Sequence, residues 1–313
     1  MNYFSAKRVI TMINVRTRKL AGNAHGVTKY PKLFAMPALL IYSVFFVLPI
    51  LAGFYYSFTN WSMFSDEIKF IGLKQFAEVL KNPELAIATK NTVVFTVVSA
   101  VVKNILAFGL AIALTSGIRS KNVLRAVFYA PAILNIVATG LIFQAILNPS
   151  TGFLNLTLRK IGLDSLALGW IADPKLSIYS AVIMEVWRAT GISMSIYVAG
   201  IQSIPRDCLE AATIDGANAI QKFFRVTLPL CMQSITINFM LTIIYGLRMF
   251  TIIFFLTKGG PGNSSEVIMT LAYKYMCAGF NGYSSAFNML LVVAIILISI
   301  PLLIMLTKKE VEY

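Results

Sequence analysis

Histidine, cysteine and acidic residues are all scarce in this 313-residue chain. It has one histidine, His25, and three cysteines, Cys208, Cys231 and Cys277, far apart in sequence. No CxxC or HExxH spacing occurs, so neither a metal site nor a disulfide framework is indicated. The G-x-x-x-x-G-K-[ST] loop, the G-x-G-x-x-G turn and the G-x-S-x-G elbow are missing too. That removes the familiar ways to cradle phosphates, hold a dinucleotide or present a nucleophilic serine. An intramembrane enzyme needs a nucleophile with its base or a metal cluster, and His25 alone supplies neither. Charge is thin: 13% of residues are charged against 58% hydrophobic, and mean hydropathy is +0.75. Those values lie outside the range of a soluble domain and indicate an all-α integral membrane protein. Acids number 13 against 27 lysines and arginines, a net charge of +14. In a soluble protein such a surplus raises nucleic acid as a partner. Here the surplus sits largely in tails and loops, where it orients the chain in membrane lipid.

What is present is long uncharged stretches, and a helix crossing the hydrocarbon core needs roughly 20 mostly apolar residues. Gaps between charges predict six spans, at about 33–59, 91–116, 124–147, 177–202, 229–256 and 283–307. A cytoplasmic tail, 1–32, precedes this domain of 33–307, and a second tail, 308–313, follows it. No cleavable signal peptide is evident. The side that holds both termini carries fifteen lysines and arginines against nine on the other, so both termini are predicted to be cytoplasmic. Lys- and Ile-rich usage suggests a bacterium, which puts the chain in a bacterial cell membrane.

One cytoplasmic stretch, "EAATIDGANAIQKFFRVTLPL" (210–230), is neither apolar enough to span nor loose enough to be a linker. Ser203 and Pro205 predict a helix start. "RDCLEAAT" then forms a short helix with a smooth Ala211–Ala212 face, ended by Asp215 and Gly216. Asn218 caps a second helix, "AIQKFFRV", and Pro229 opens the fifth span. The plain reading of these residues is an amphipathic connector lying on the bilayer.

The order of the residues adds a second reading. The segment is similar to the EAA loop of ABC-importer permeases, in which Glu, Ala, Ala, a Gly six residues after the Glu, and a Leu-Pro pair recur at this spacing. "YYSFTNW" (55–61), "RAVFYAPAILNIVATGLIFQAILNPSTGFLN" (125–155), "FFLTKGGPGNSSEV" (254–267) and "GYSSAFNMLL" (282–291) resemble carbohydrate-importer permeases, such as those for maltose and related oligosaccharides. The resemblance covers nearly all of 33–307. It implies a type I ABC-importer permease fold with a cytoplasmic coupling helix, a second related permease chain, two cytoplasmic ATPase subunits and an extracytoplasmic sugar-binding protein. ATP and Mg would be held by the ATPase, so this chain is expected to bind no cofactor and no metal. It gives Glu210, Ala211, Ala212, Asp215 and Gly216 the role of seating in the ATPase, with Glu210 a candidate for a charged contact.

By the same resemblance, the family's sugar pocket falls in the middle of the fourth and fifth spans, on Ala189, Ile192, Ser193, Thr242, Tyr245, Gly246, Met249 and Thr251. Any one of these is equally readable as helix packing. Three charges lie deep in those spans. Glu185 and Arg188, three residues apart, are expected to neutralise each other on one helix face. Arg248 has no local acid and reads either as an inter-subunit partner or as a substrate contact, in which case an acidic sugar follows. Lys103 receives no role beyond a kink or polar interface. "TKGGPGNSSEV" reads as a tight extracytoplasmic turn in which Ser264 or Ser265 caps the next helix, or as a docking site for the binding protein. The competing reading of the whole chain is a secondary, ion-coupled sugar carrier, which would need no EAA loop and would more often show internal repeats.

Overall fold

The computed structural model describes residues 32–308 and 310. Most of both predicted tails, and His25, therefore lie outside the described residues. The chain divides into two compact units, Met1–Ala52 and Gly53–Tyr313. The first holds most of α1 (Met36–Tyr56), an uncharged helix with Pro37 in its first turn and Tyr42 stacked on Phe46 at 5.3 Å.

The second unit is helical, and apart from an isolated Thr59–Phe70 bridge no strand is found among its described residues. In order, its helices are α2 (Lys74–Lys81), α3 (Pro83–Thr115), α4 (Lys121–Ile133), α5 (Ile136–Ile146), α6 (Phe153–Lys160), α7 (Ser177–Gln202) and α8 (Arg206–Ile214). There follow α9 (Ala219–Leu230), α10 (Met232–Leu247), α11 (Thr251–Leu256), α12 (Ile268–Cys277) and α13 (Asn281–Thr307).

Three helices, α1, α3 and α13, are long and apolar enough to cross a membrane, and up to five spans result if each of two bent pairs counts as one. The predicted span at 124–147 is not a single helix: α4 and α5 meet at 93°. Asn135 explains the break, because its Oδ1 accepts the Val137 and Ala138 amides at 2.8 and 3.4 Å and so starts a new helix. The predicted 229–256 span is also divided. α10 starts at Met232 after a 67° bend and stops at Leu247, and α11 resumes at Thr251. Pro229 therefore does not open the spanning helix but lies in the last turn of α9. A wider π turn, Phe223–Thr227, precedes it, as Ser43–Val47 precedes Pro49 in α1. In each case the turn contains the residue four before the proline, whose carbonyl has lost its usual amide donor. α7 has the predicted bounds, although its polar content keeps it outside the hydropathy of a free-standing span.

Packing centres on α3 and α7. α3 buries Ala88, Ala100, Ala107 and Ala111 completely, and small residues let helices in lipid approach closely. On α7, a Cβ at Gly191 would strike the Phe128 carbonyl oxygen and lie 2.7 Å from the Tyr129 Cα of α4. Phe95, Met184, Ile252 and Ile253 form one apolar core across α3, α7 and α11. The loop after α11 is tied down: Asn91 Nδ2 donates to the carbonyls of Ser264 and Glu266, both at 2.9 Å, and Ser177 bonds Ser264 at 3.0 Å. Neither serine caps α12. Ser265 donates instead to the Gly260 carbonyl at 2.7 Å, and Thr270 accepts the Val267 amide at 3.0 Å.

Candidate functional site

Two helix faces build a cavity of about 500 Å³. α7 contributes Glu185, Arg188, Ala189, Ile192, Ser193 and Ile196, spaced by three and four along one face. α10 contributes Asn238, Leu241, Thr242, Ile244 and Tyr245, with Arg248 just past its end, and α3 adds Lys103.

The cavity wall includes a charged cluster. Glu185 is fully buried and bridges two cations: Lys103 Nζ donates to Oε1 at 2.8 Å and Arg188 Nη2 to Oε2 at 3.1 Å. The same Arg188 nitrogen donates to the Tyr245 hydroxyl at 2.9 Å. The Tyr245 ring takes Lys103 and Arg188 at 5.6 and 5.9 Å from its centroid, within cation–π range. The expected Glu185–Arg188 neutral pair is thus a group of three with one positive charge left over. The carboxylate's second partner comes from α3, 82 residues away in sequence.

A second, uncharged network adjoins it. Asn104 Nδ2 donates to Thr242 Oγ1 at 3.1 Å, while its Oδ1 accepts from Asn238 Nδ2 at 2.8 Å and from the Tyr197 hydroxyl. Its members lock α3, α7 and α10 together, and Asn238 reaches the cavity wall. Amide and hydroxyl groups beside apolar Ile192, Ile196 and Leu241 form the mixed lining that a polyhydroxylated guest needs.

Of the residues predicted for a substrate pathway, Ala189, Ile192, Ser193, Thr242, Tyr245 and Arg248 line this cavity. Gly246, Met249 and Thr251 do not. Gly246 faces α3, where a Cβ would sit 2.9 Å from the Thr96 methyl. Met249 is buried in the Phe95 core. Thr251 begins α11, beyond the break that follows Arg248. Sequence reasoning missed Lys103, Ile196, Leu241, Ile244 and the Asn238–Asn104 network. Continuing the α7 face by three from Ser193 gives Ile196, and stepping back four from Thr242 gives Asn238. Lys103 announces itself only as a charge inside an apolar run.

The 206–230 segment is joined to both walls of the cavity. α8 follows α7 after three residues, and α9 enters α10 through the bend at Cys231. Ser203 does not cap α8, since its hydroxyl donates back to the Gly200 carbonyl at 2.8 Å, and Pro205 occupies the cap position. The helix ends in a Schellman arrangement: Gly216, at φ +77°, donates to Thr213 at 3.1 Å and Ala217 to Ala212 at 3.0 Å. Asn218 and Gln221 then form a reciprocal capping box, at 2.8 and 3.0 Å. Glu210, Ala211, Asp215 and Gly216 are exposed and Ala212 is half-buried. Ile214, beside them, is 86% exposed.

A family model described as "Binding-protein-dependent transport system inner membrane component" matches residues 105–307. The chain is similar to the probable ABC transporter permease protein YurN of Bacillus subtilis, with 35% identity over 82% of this chain and 88% of that one. It is 33% identical to the trehalose/maltose transport system permease protein MalF of Thermococcus litoralis, over 84% and 89% of the two chains. With the arabinooligosaccharides transport system permease protein AraP of Bacillus subtilis, identity is 30% over 86% of each. Among solved structures, a bacterial ABC transporter involved in the import of the acidic polysaccharide alginate superposes with a TM-score of 0.77 at 23% identity. That match covers 88% of this chain and 95% of the other, a likeness of fold.

Proposed function

Because the chain belongs to the family of binding-protein-dependent transport system inner membrane components, we propose that it is the transmembrane subunit of an ATP-driven importer that moves a saccharide, delivered by an extracytoplasmic binding protein, into the cytoplasm. Relatives named for trehalose and maltose and for arabinooligosaccharides support the saccharide, as does a cavity that combines amides, hydroxyls and apolar walls. The observation that carries the mechanism is the short, capped α8–α9 segment fastened at both ends to the helices that line the cavity.

In this reading six spans form, from α1, α3, α4 with α5, α7, α9 with α10, and α13, and both termini lie in the cytoplasm. A second permease chain completes the pathway. Two ATPase subunits, which hold ATP and Mg, seat the Glu210–Gly216 helix and its exposed Ile214. When nucleotide closes the ATPase pair, α8 moves as a rigid body and carries α7 and α10 with it, so the cavity turns from one side of the membrane to the other. Nucleotide drives this only by binding one state better than the other. The chain itself catalyses nothing. Its chemistry is reversible hydrogen bonding to a guest while the gate changes sides.

Proteoliposomes test this reading against an ion-coupled carrier. With the partner permease, the ATPase and the binding protein present, labelled oligosaccharide should accumulate only when ATP is on the ATPase side. Accumulation by this chain alone, driven by an ion gradient, would establish the carrier instead.

A further inference from the structure

Resting on the importer reading, we propose that the cavity between α7 and α10 selects an anionic, carboxylate-bearing saccharide over a neutral one. Three cations, Lys103, Arg188 and Arg248, stand on its wall with one carboxylate, Glu185, so the lining holds a surplus of two positive charges. Glu185 carries a single negative charge and already meets two cations, Lys103 and Arg188, so it balances only one of the three. Arg188 is left with an Nε–H that is buried and has no acceptor among the described residues. Arg248 makes no ion pair among them and is exposed, three residues beyond Tyr245 on the same wall.

A fixed positive surplus at membrane depth is costly without a counter-charge. A neutral sugar offers hydroxyls to the Asn238 and Thr242 side of the cavity but leaves that surplus unanswered. A carboxylate answers it, and a guanidinium is the group best shaped to hold one through two parallel N–H donors. The apolar Ile192, Ile196 and Leu241 supply the surface on which the sugar rings lie. Along α10 the polar Asn238 and Thr242 are followed by Tyr245 and then Arg248 on the same wall, which suits a uronic-acid unit within an oligosaccharide.

The test uses the assembled importer in nanodiscs without its binding protein, so that delivery does not filter the ligands. Binding of a labelled galacturonic-acid trisaccharide is compared with that of its carboxyl-reduced, neutral counterpart. The acidic probe should bind about tenfold tighter or better, the scale of one charge-assisted hydrogen bond. Arg248→Gln should remove most of that difference, and Arg248→Lys should retain part of it. Equal affinity of the two probes, or a preference that survives Arg248→Gln, would overturn the proposal. So would counter-charge supplied by the partner permease, which would show as preference for the neutral probe. The importer reading fails separately, if the same complex, supplied with its binding protein in proteoliposomes, accumulates no saccharide of either charge with ATP.

Discussion

Glu185 is the residue on which the interior electrostatics turn. It is fully buried, yet Lys103 and Arg188 reach it from two helices at 2.8 and 3.1 Å. Removing one member of such a group leaves the others uncompensated, at a cost of about 3–5 kcal/mol. Glu185→Gln is therefore expected to lower the thermal unfolding midpoint of the detergent-solubilised chain, and adding Lys103→Met should restore part of the loss. An unchanged midpoint in Glu185→Gln would mean that the carboxylate does not hold the two cations together. Two of the three members of this cluster were legible in the sequence. Arg188 follows Glu185 by three residues, a spacing that predicts a pair on one helix face. Lys103 was not, because nothing local links it to a carboxylate 82 positions later. The same limit applies to Asn104, whose partners Tyr197, Asn238 and Thr242 lie on other helices.

Among the elements, α7 was the most legible and the bent pairs the least. The 177–202 stretch is one uninterrupted helix with the predicted bounds. A charge-free gap measures length, however, and not straightness. The gap around 124–147 conceals Asn135, whose side chain captures two amides and turns the chain by 93°. The stop after Leu247 is similarly invisible to hydropathy, and it explains why Met249 and Thr251 leave the cavity face. Gly246 was singled out for its place in the span, whereas its hydrogen is what lets α10 approach Thr96. Close approach also gives a prediction for α7. At Gly191 a side chain would meet the α4 backbone, while at Gly109 nothing lies within 4 Å. Gly191→Val should cost about 1–3 kcal/mol of stability through overpacking, and Gly109→Val close to nothing, as read by denaturant unfolding in mixed micelles. Equal effects at the two positions would show that α4 does not rest on the bare face of α7.

For the whole molecule, the proposed mechanism is mechanical: movement imposed on the segment between α7 and α10 reaches the cavity because both of its walls continue from that segment. α8 is short, closed at its end by the Gly216 turn and followed at once by the Asn218 cap. Few torsions are therefore free to absorb a push. Its outward side carries small and exposed residues, Ala211 among them, which suits close seating against another subunit. Because Ala211 is exposed, a bulky replacement there has no clash to make within this chain, and any loss of transport must come from a partner. The most direct measurement is ATP-driven saccharide uptake by the complete importer carrying Ala211→Trp, with the stability of this chain recorded beside it. If α8 transmits the motion, uptake should fall about tenfold or more at unchanged stability; uptake at the unsubstituted rate would show that it does not.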